Sequence, residues 1–205
     1  MFHHKHPYPP FIPENATKLI VGTLPPPRFT TGELKEGDVD FCYGSRDGQL
    51  WPILDKIFGL DLKFETTAQA IAQREFFLKK RGIGICDMVA SAKRGKVDAS
   101  DIGMMEVELR DLVAILQQNQ KIDTLLFTGG NSKNGPEYFF RRKVPRIHTF
   151  QLPDSGRTVK TVSLIAPSGA ANRAVGSLTA YKKMKEKFPE KTTIDFRVEQ
   201  YRPFF

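Results

Sequence analysis

Apolar runs that stop abruptly at glycine or proline constrain this chain most. Leu19-Ile20-Val21 ends in Gly22-Thr23-Leu24-Pro25-Pro26-Pro27. Val162-Ser163-Leu164-Ile165 ends in Ala166-Pro167-Ser168-Gly169-Ala170-Ala171-Asn172-Arg173. Each run reads as a buried strand followed by a stiff loop. In an open α/β sheet, ligands bind just past the carboxyl ends of the strands. Pro fixes φ and Gly relieves steric limits, so such loops hold backbone amides at fixed positions facing a ligand. Two ordinary turns with no ligand fit the same residues, because Gly and Pro punctuate all such folds.

The rest of the chain alternates in the same way. Residues 1–16 read as an extended arm, since Pro7, Pro9, Pro10 and Pro13 exclude a helix. A long polar loop runs from Pro25 to Asp47, a length that is often functional in a compact domain. Trp51, Ile53, Leu54, Ile57 and Phe58 fall at helical spacing, and residues 67–80 make a second helix with a basic end. Gly82 to Cys86 reads as a strand ending at Asp87, and Met104 to Gln118 as one amphipathic segment. Ile122 to Phe127 reads as a strand ended by Thr128-Gly129-Gly130, and Pro136 to Lys143 as a short basic helix. Arg146 to Leu152 and Thr158 to Ile165 read as strands, Asn172 to Phe188 as a helix, and Ile194 to Val198 as an edge strand. Strands alternating with helices predict one domain with a three-layer α/β fold and a largely parallel sheet. Both Gly/Pro loops and the Thr128 turn then share one sheet edge.

Composition narrows the partners. At 205 residues and 40% apolar content the chain can bury a sizeable core. The formal net charge of +8 favours an anionic partner, most simply nucleic acid. No run is long enough to span a membrane and no signal-peptide pattern opens the chain, so a cytoplasmic location away from membranes is expected. Cys42 and Cys86 suit a reducing compartment and act as small apolar residues; they cannot make a four-cysteine metal site. His3, His4 and His6 have spacing compatible with a metal, but a terminal arm points to a disordered tail. No metal or cofactor is expected.

Four stretches and the last loop, read in order, resemble the uracil-DNA glycosylase superfamily, and within it the hypoxanthine-DNA glycosylase-like branch. Leu19 to Pro26 is similar to the first active-site motif. Tyr43-Gly-Ser-Arg-Asp-Gly-Gln-Leu-Trp51-Pro-Ile-Leu54 is similar to Y-x-H-P-x-N-x-F-W-P-I-L. Gly82 to Ser91, with Gly95 to Asp98, resembles G-I-x-L-W-D-V-V-A-S followed by G-S-L-D. Leu126 to Gly130, followed by Tyr138 to Arg142, resembles F-F-N-G and L-F-R-R, and Ala166 to Arg173 matches L-P-S-x-S-P-A-N. The resemblance implies a three-layer α/β/α fold with a central, mostly parallel four-stranded sheet. It also implies a monomeric, cofactor-free DNA glycosylase that removes a deaminated base such as uracil or hypoxanthine. Three positions depart from the pattern. The family's Asn falls on Gly48, its His-Pro pair on Ser45-Arg46, and the Asn of F-F-N-G on Thr128. A glycosylase-fold module that binds DNA or a nucleotide without cleaving it is therefore the alternative.

Breaking an N-glycosidic bond needs a flipped base held by stacking and edge contacts. It needs donors to the charge growing on that base, and a group that orients water or offsets the sugar cation. Resemblance and residue chemistry together put Asp47 and Thr23 at the reaction, and Gly22, Leu24, Tyr43, Asp87 and Thr128 around the base. They put Ser168, Asn172, Arg173, Lys93 and Arg94 on the DNA, with Arg141, Arg142 and Lys143 as further basic candidates. Each has a structural alternative. Tyr43 can anchor its loop, Thr23 can cap its own loop, and Ser168 can be a helix N-cap while still meeting a phosphate. Asp87 can cap the next segment with its backbone facing the pocket. Asp38 and Asp40 compete with Asp47, and all three can be solvated loop charges.

Overall fold

The computed structural model describes residues 1–130, 132–142, 144 and 148–205. Its strands are β1 (Phe2–Lys5), β2 (Lys18–Gly22), β3 (Ile83–Asp87), β4 (Val89–Arg94), β5 (Met104–Leu109), β6 (Thr124–Thr128), β7 (Thr149–Gln151) and β8 (Thr158–Leu164). Its α-helices are α1 (Pro27–Thr31), α2 (Leu50–Phe58), α3 (Ala68–Arg81), α4 (Leu112–Gln118), α5 (Pro136–Arg141), α6 (Asn172–Ser177), α7 (Thr179–Lys187) and α8 (Thr193–Tyr201).

The main sheet runs β3-β2-β6-β8-β7. The first four strands are parallel, and β7 closes one edge antiparallel to β8. The expected four-stranded parallel sheet is present with this fifth strand added. Lys143, expected to end α5, and residues 146–147, expected to begin β7, lie outside the described residues. The pleat sends alternate side chains to opposite faces. Leu19, Val21, Leu125 and Phe127 pack on one side against Leu112 and Leu116 of α4 and Phe139 and Phe140 of α5. Ile20, Ile85 and Leu126 pack on the other against Trp51 and Leu54 of α2, Phe77 and Leu78 of α3, and Tyr201 of α8. Burial on both faces is why these strands read as unbroken apolar runs.

Four local expectations are corrected. The N-terminal arm is not a disordered tail: β1 pairs antiparallel with β4, and β4 pairs with β5 to make a second, three-stranded sheet. His4 is fully buried in it. The segment from Met104 to Gln118 is strand β5 followed by helix α4. The Asp111 carboxylate accepts from the amides of Val113 and Ala114, so the helix starts there, and Met104 to Leu109 pairs with β4 instead. The helix expected from Asn172 to Phe188 breaks at Leu178, whose backbone is extended at φ −67° and ψ 131°, giving α6 and α7. Ile194 to Val198 is not an edge strand but the body of α8. Thr192 and Asp195 form a reciprocal capping box at its start: the Asp195 amide donates to Thr192 Oγ1 at 3.4 Å and the Thr192 amide to Asp195 Oδ2 at 2.7 Å.

That box is the local signal that outweighs the β-branched, aromatic composition of Ile194 to Val198. Thr192→Ala is expected to lower stability by about 1 kcal/mol, the usual cost of a lost N-cap. A urea midpoint shift with an unchanged slope, and loss of helix at α8 in amide exchange, would show it.

Candidate active site

Gly22, Asp87, Thr128 and Ile165 stand at or just past the carboxyl ends of β2, β3, β6 and β8, so the topology brings them to one edge. Gly22 is required there by close packing. A Cβ on it would lie 2.0 Å from Tyr43 Oη and 2.3 Å from Asp87 Oδ1. The Tyr43 ring reaches this spot because its backbone is left-handed, at φ 57°, and because Gly44 follows, where a Cβ would run 1.8 Å from the Val39 carbonyl. Thr128 donates its hydroxyl hydrogen to the Val21 carbonyl at 3.2 Å, so the 2.6 Å contact with Tyr43 has the phenol as donor. Burial, with Asp87 nearby, holds the Tyr43 phenol well above its usual pKa and keeps that hydrogen in place.

Two carboxylates approach the first loop from either side. Asp87 accepts from His6 Nε2 at 2.8 Å, while His6 Nδ1 accepts the Tyr8 amide at 3.0 Å. Asp101 comes from the 3₁₀ turn before β5, with the Asn134 side chain donating to its carbonyl at 2.9 Å. The Thr23 hydroxyl lies close enough to its carboxylate to favour the charged form. Burial, aided by the charge on Asp87, pushes the Asp101 carboxyl up to about 6 against the opposing pull of Arg94 and Thr23. Behind them Arg94 donates Nε to His4 Nδ1 at 2.7 Å, and burial pushes His4 down to about 4.

The Tyr43 loop and the last loop are joined into one surface. Gly48 and Ser168 form an isolated antiparallel bridge, and the Gln49 amide donates to the Pro167 carbonyl at 2.8 Å. Arg197 of α8, fully buried, binds both sides of the seam. It donates to the Ala166 carbonyl at 2.9 Å, Gln49 Oε1 at 2.8 Å, Asn172 Oδ1 at 2.9 Å and the Ser168 carbonyl at 3.3 Å. Tyr201 adds a 2.6 Å bond to the Ile165 carbonyl.

The structure brings Gly22, Thr23, Tyr43, Asp87 and Thr128 together, with Leu24 packed into the core beside them. Asp47 does not join that group. Its side chain is 74% exposed on the rim, 3.5 Å from Arg28, with its carbonyl near Gly169. Asp38 is no solvated charge. Burial works against its ionisation, but a two-pronged bond from Arg28 and the amides of Arg46 and Lys35 outweigh burial and keep its carboxyl below the usual range. Asp40 accepts the Tyr8 hydroxyl at 2.6 Å. Ser168 caps the 3₁₀ turn from Gly169 to Ala171, and Asn172 is turned inward to Arg197, while Arg173 is exposed. Arg94, expected on the DNA, is 1% exposed and bonded inward. Lys93 is ion-paired with Glu106 at 2.5 Å, and Arg141 bonds Glu137 and Thr161.

His6, Asp101 and Arg197 were not expected. An Arg set in an apolar stretch was the signal available for Arg197. Apart from this edge, an open depression of about 630 Å³ is lined by Gly37, Arg46, Pro52, Asp55, Lys56 and Phe64, and it shares no residue with the group.

No protein-family profile matches the sequence, and no curated protein matches it. By structure the chain is similar to a protein from Methanosarcina acetivorans described as a "putative Uracil DNA glycosylase". The TM-score is 0.58 at 18% identity, over 96% of this chain and 99% of that one. The chain has a uracil-DNA-glycosylase-like fold. In that fold the edge carrying Gly22, Tyr43 and Asp87 is the place to look for chemistry. Among the described residues no helix is long and apolar enough to cross a membrane.

The raised Asp101 carboxyl sets a pH signature. The folded state holds this proton more tightly than the unfolded chain, so the stabilisation is complete below about 3.8 and is lost as pH rises through about 6. Asp101→Asn keeps a neutral group there at every pH. The stability of the variant relative to the unmodified protein is therefore expected to rise between pH 4 and 6 and then level off in thermal melts. A constant difference would contradict the burial of this carboxyl.

Proposed function

We propose that this protein is a DNA glycosylase of the hypoxanthine-DNA glycosylase-like branch, hydrolysing the N-glycosidic bond of a deaminated base in DNA. The observation that carries the reading is the convergence, at one sheet edge, of Gly22, Tyr43, Asp87 and Thr128 with the fused loops around Gly48 and Ser168. Tyr43 supplies an aromatic wall for an extruded base, and its strained backbone is of the kind that clusters at working sites. The Thr23 and Leu24 amides face the growing charge on the leaving base, as donors of an oxyanion hole do. Ser168 and the exposed Arg173 take the DNA backbone, in keeping with the net charge of +8. Asp47, exposed at the seam and tethered only at 3.5 Å, orients the attacking water as DNA closes over the rim.

One observation favours the second reading, a module that binds without cleaving. Gly48, at the position of the family's Asn, offers only backbone, and that backbone bridges to Ser168.

Oligonucleotides carrying uracil, hypoxanthine or xanthine, followed by alkaline scission, decide between the two. Scission at one or more of these bases is expected, and none at any of them assigns the binding role. Asp47→Asn is expected to lower the single-turnover rate by roughly 10²–10⁴ with DNA affinity nearly unchanged. Arg173→Ala is expected to weaken binding and reduce the salt slope by about one. Lys191→Ala should do neither, because Lys191 is already ion-paired to Glu199 at 2.6 Å.

A further inference from the structure

The two carboxylate oxygens of Asp87 are in different states. The side chain is 8% exposed. Oδ2 accepts from His6 Nε2 at 2.8 Å. Because His6 Nδ1 accepts the Tyr8 amide, the neutral ring carries its hydrogen on Nε2 and aims it at Asp87. Oδ1 accepts a hydrogen bond from no described residue. It lies beside Tyr43 Oη, over Gly22 at the end of β2. The hydroxyls around it are committed: Thr128 to Val21, and Tyr43 to Thr128. A carboxylate oxygen with no protein donor, in a side chain only 8% exposed, is placed to take a donor from a ligand.

We propose that Asp87 Oδ1 reads the ring N–H of a lactam base, N3–H of uracil or N1–H of hypoxanthine and xanthine, with His6 as its positioning residue. The inference deepens the glycosylase reading and rests on it. Deamination changes one ring nitrogen from acceptor to donor. Cytosine N3 and adenine N1 present lone pairs, which a carboxylate oxygen repels; their deamination products present N–H, which it accepts. A single atom thus separates pyrimidine and purine products from both parents. Thymine and guanine carry the same N–H and are not separated by this contact. The N-terminal arm thereby contributes to base choice through His6.

The test uses single-stranded oligonucleotides bearing one 2′-fluoroarabino nucleotide, which resist cleavage, with affinity read by fluorescence anisotropy. The unmodified protein is expected to prefer uracil and hypoxanthine over cytosine and adenine by about tenfold or more, the value of one such contact. N3-methyluracil, which lacks the donor, should fall to the level of cytosine; binding it as tightly as uracil overturns the proposal without any variant. Asp87→Asn should invert the order. His6 Nε2–H claims the amide oxygen, which leaves the NH₂ group facing the base. In Asp87→Asn with His6→Phe the amide is free to turn and the inversion should vanish. A uniform loss across all four bases in folded Asp87→Asn assigns Asp87 a structural role and overturns the inference. Discrimination by a protein that cleaves nothing sinks the glycosylase reading but leaves this inference standing. Cleavage without discrimination sinks the inference alone.

Discussion

The buried guanidinium of Arg197 is the fixed point around which the site loops are arranged. Its acceptors are neutral: the Ala166 and Ser168 carbonyls and the side chains of Gln49 and Asn172. Hydrogen bonds to a charged group contribute about 1.5–3 kcal/mol each, and an acceptor stranded by their loss costs about 1–3 kcal/mol. The last loop and the Tyr43 loop therefore move as one body with α8. None of these partners is a carboxylate, so the positive charge stays uncompensated beneath a surface proposed to meet phosphate.

The second constraint lies in the segment between β2 and α2, which carries the short helix α1 where an unbroken loop was expected. Its polar sequence reads as flexible, yet Arg28 and Asp38 pin it from inside, and Val39, Phe41 and Cys42 are buried. This pinning holds Tyr43 at a positive φ. A non-glycine residue in such a conformation costs about 1–3 kcal/mol, and it persists because Gly44, the Trp51 indole on the Cys42 carbonyl and the Thr128 bond over-determine it.

The sequence was legible where one force dominated. Leu19 to Val21 and Leu125 to Phe127 are buried on both faces, so the centre of the parallel sheet could be read directly, whereas β8 buries one face only and leaves Ser163 exposed. Met104 to Gln118 and Ile194 to Val198 were misread because the deciding signals were caps, Asp111 and the pair Thr192 and Asp195, rather than periodicity. The site divides in the same way. Gly22 and Thr128 end strands, Tyr43 sits in a glycine-flanked loop, and all three are legible in the sequence. His6 and Asp101 reach the edge from a second sheet whose pairing spans distant segments, and no local pattern announces that. Arg94 looked like a surface cation because its burial depends on His4, ninety residues away in sequence.

The pairing of β1 with β4 also bears on how the molecule comes together. His6 and Asp87 are 81 residues apart, and closing a loop of that length carries an entropic cost before any contact rewards it. The parallel core of β2, β3 and β6 meets the arm at Phe11, which bridges to Ile85, but shares no pairing with β1 itself. β1 pairs only with β4, so it can take its place only where β4 offers an edge. Until it docks, the carboxylate at the end of β3 has neither its partner nor a fixed direction. The arm that follows the first strand thus sets the direction of a carboxylate 81 residues away in the chain.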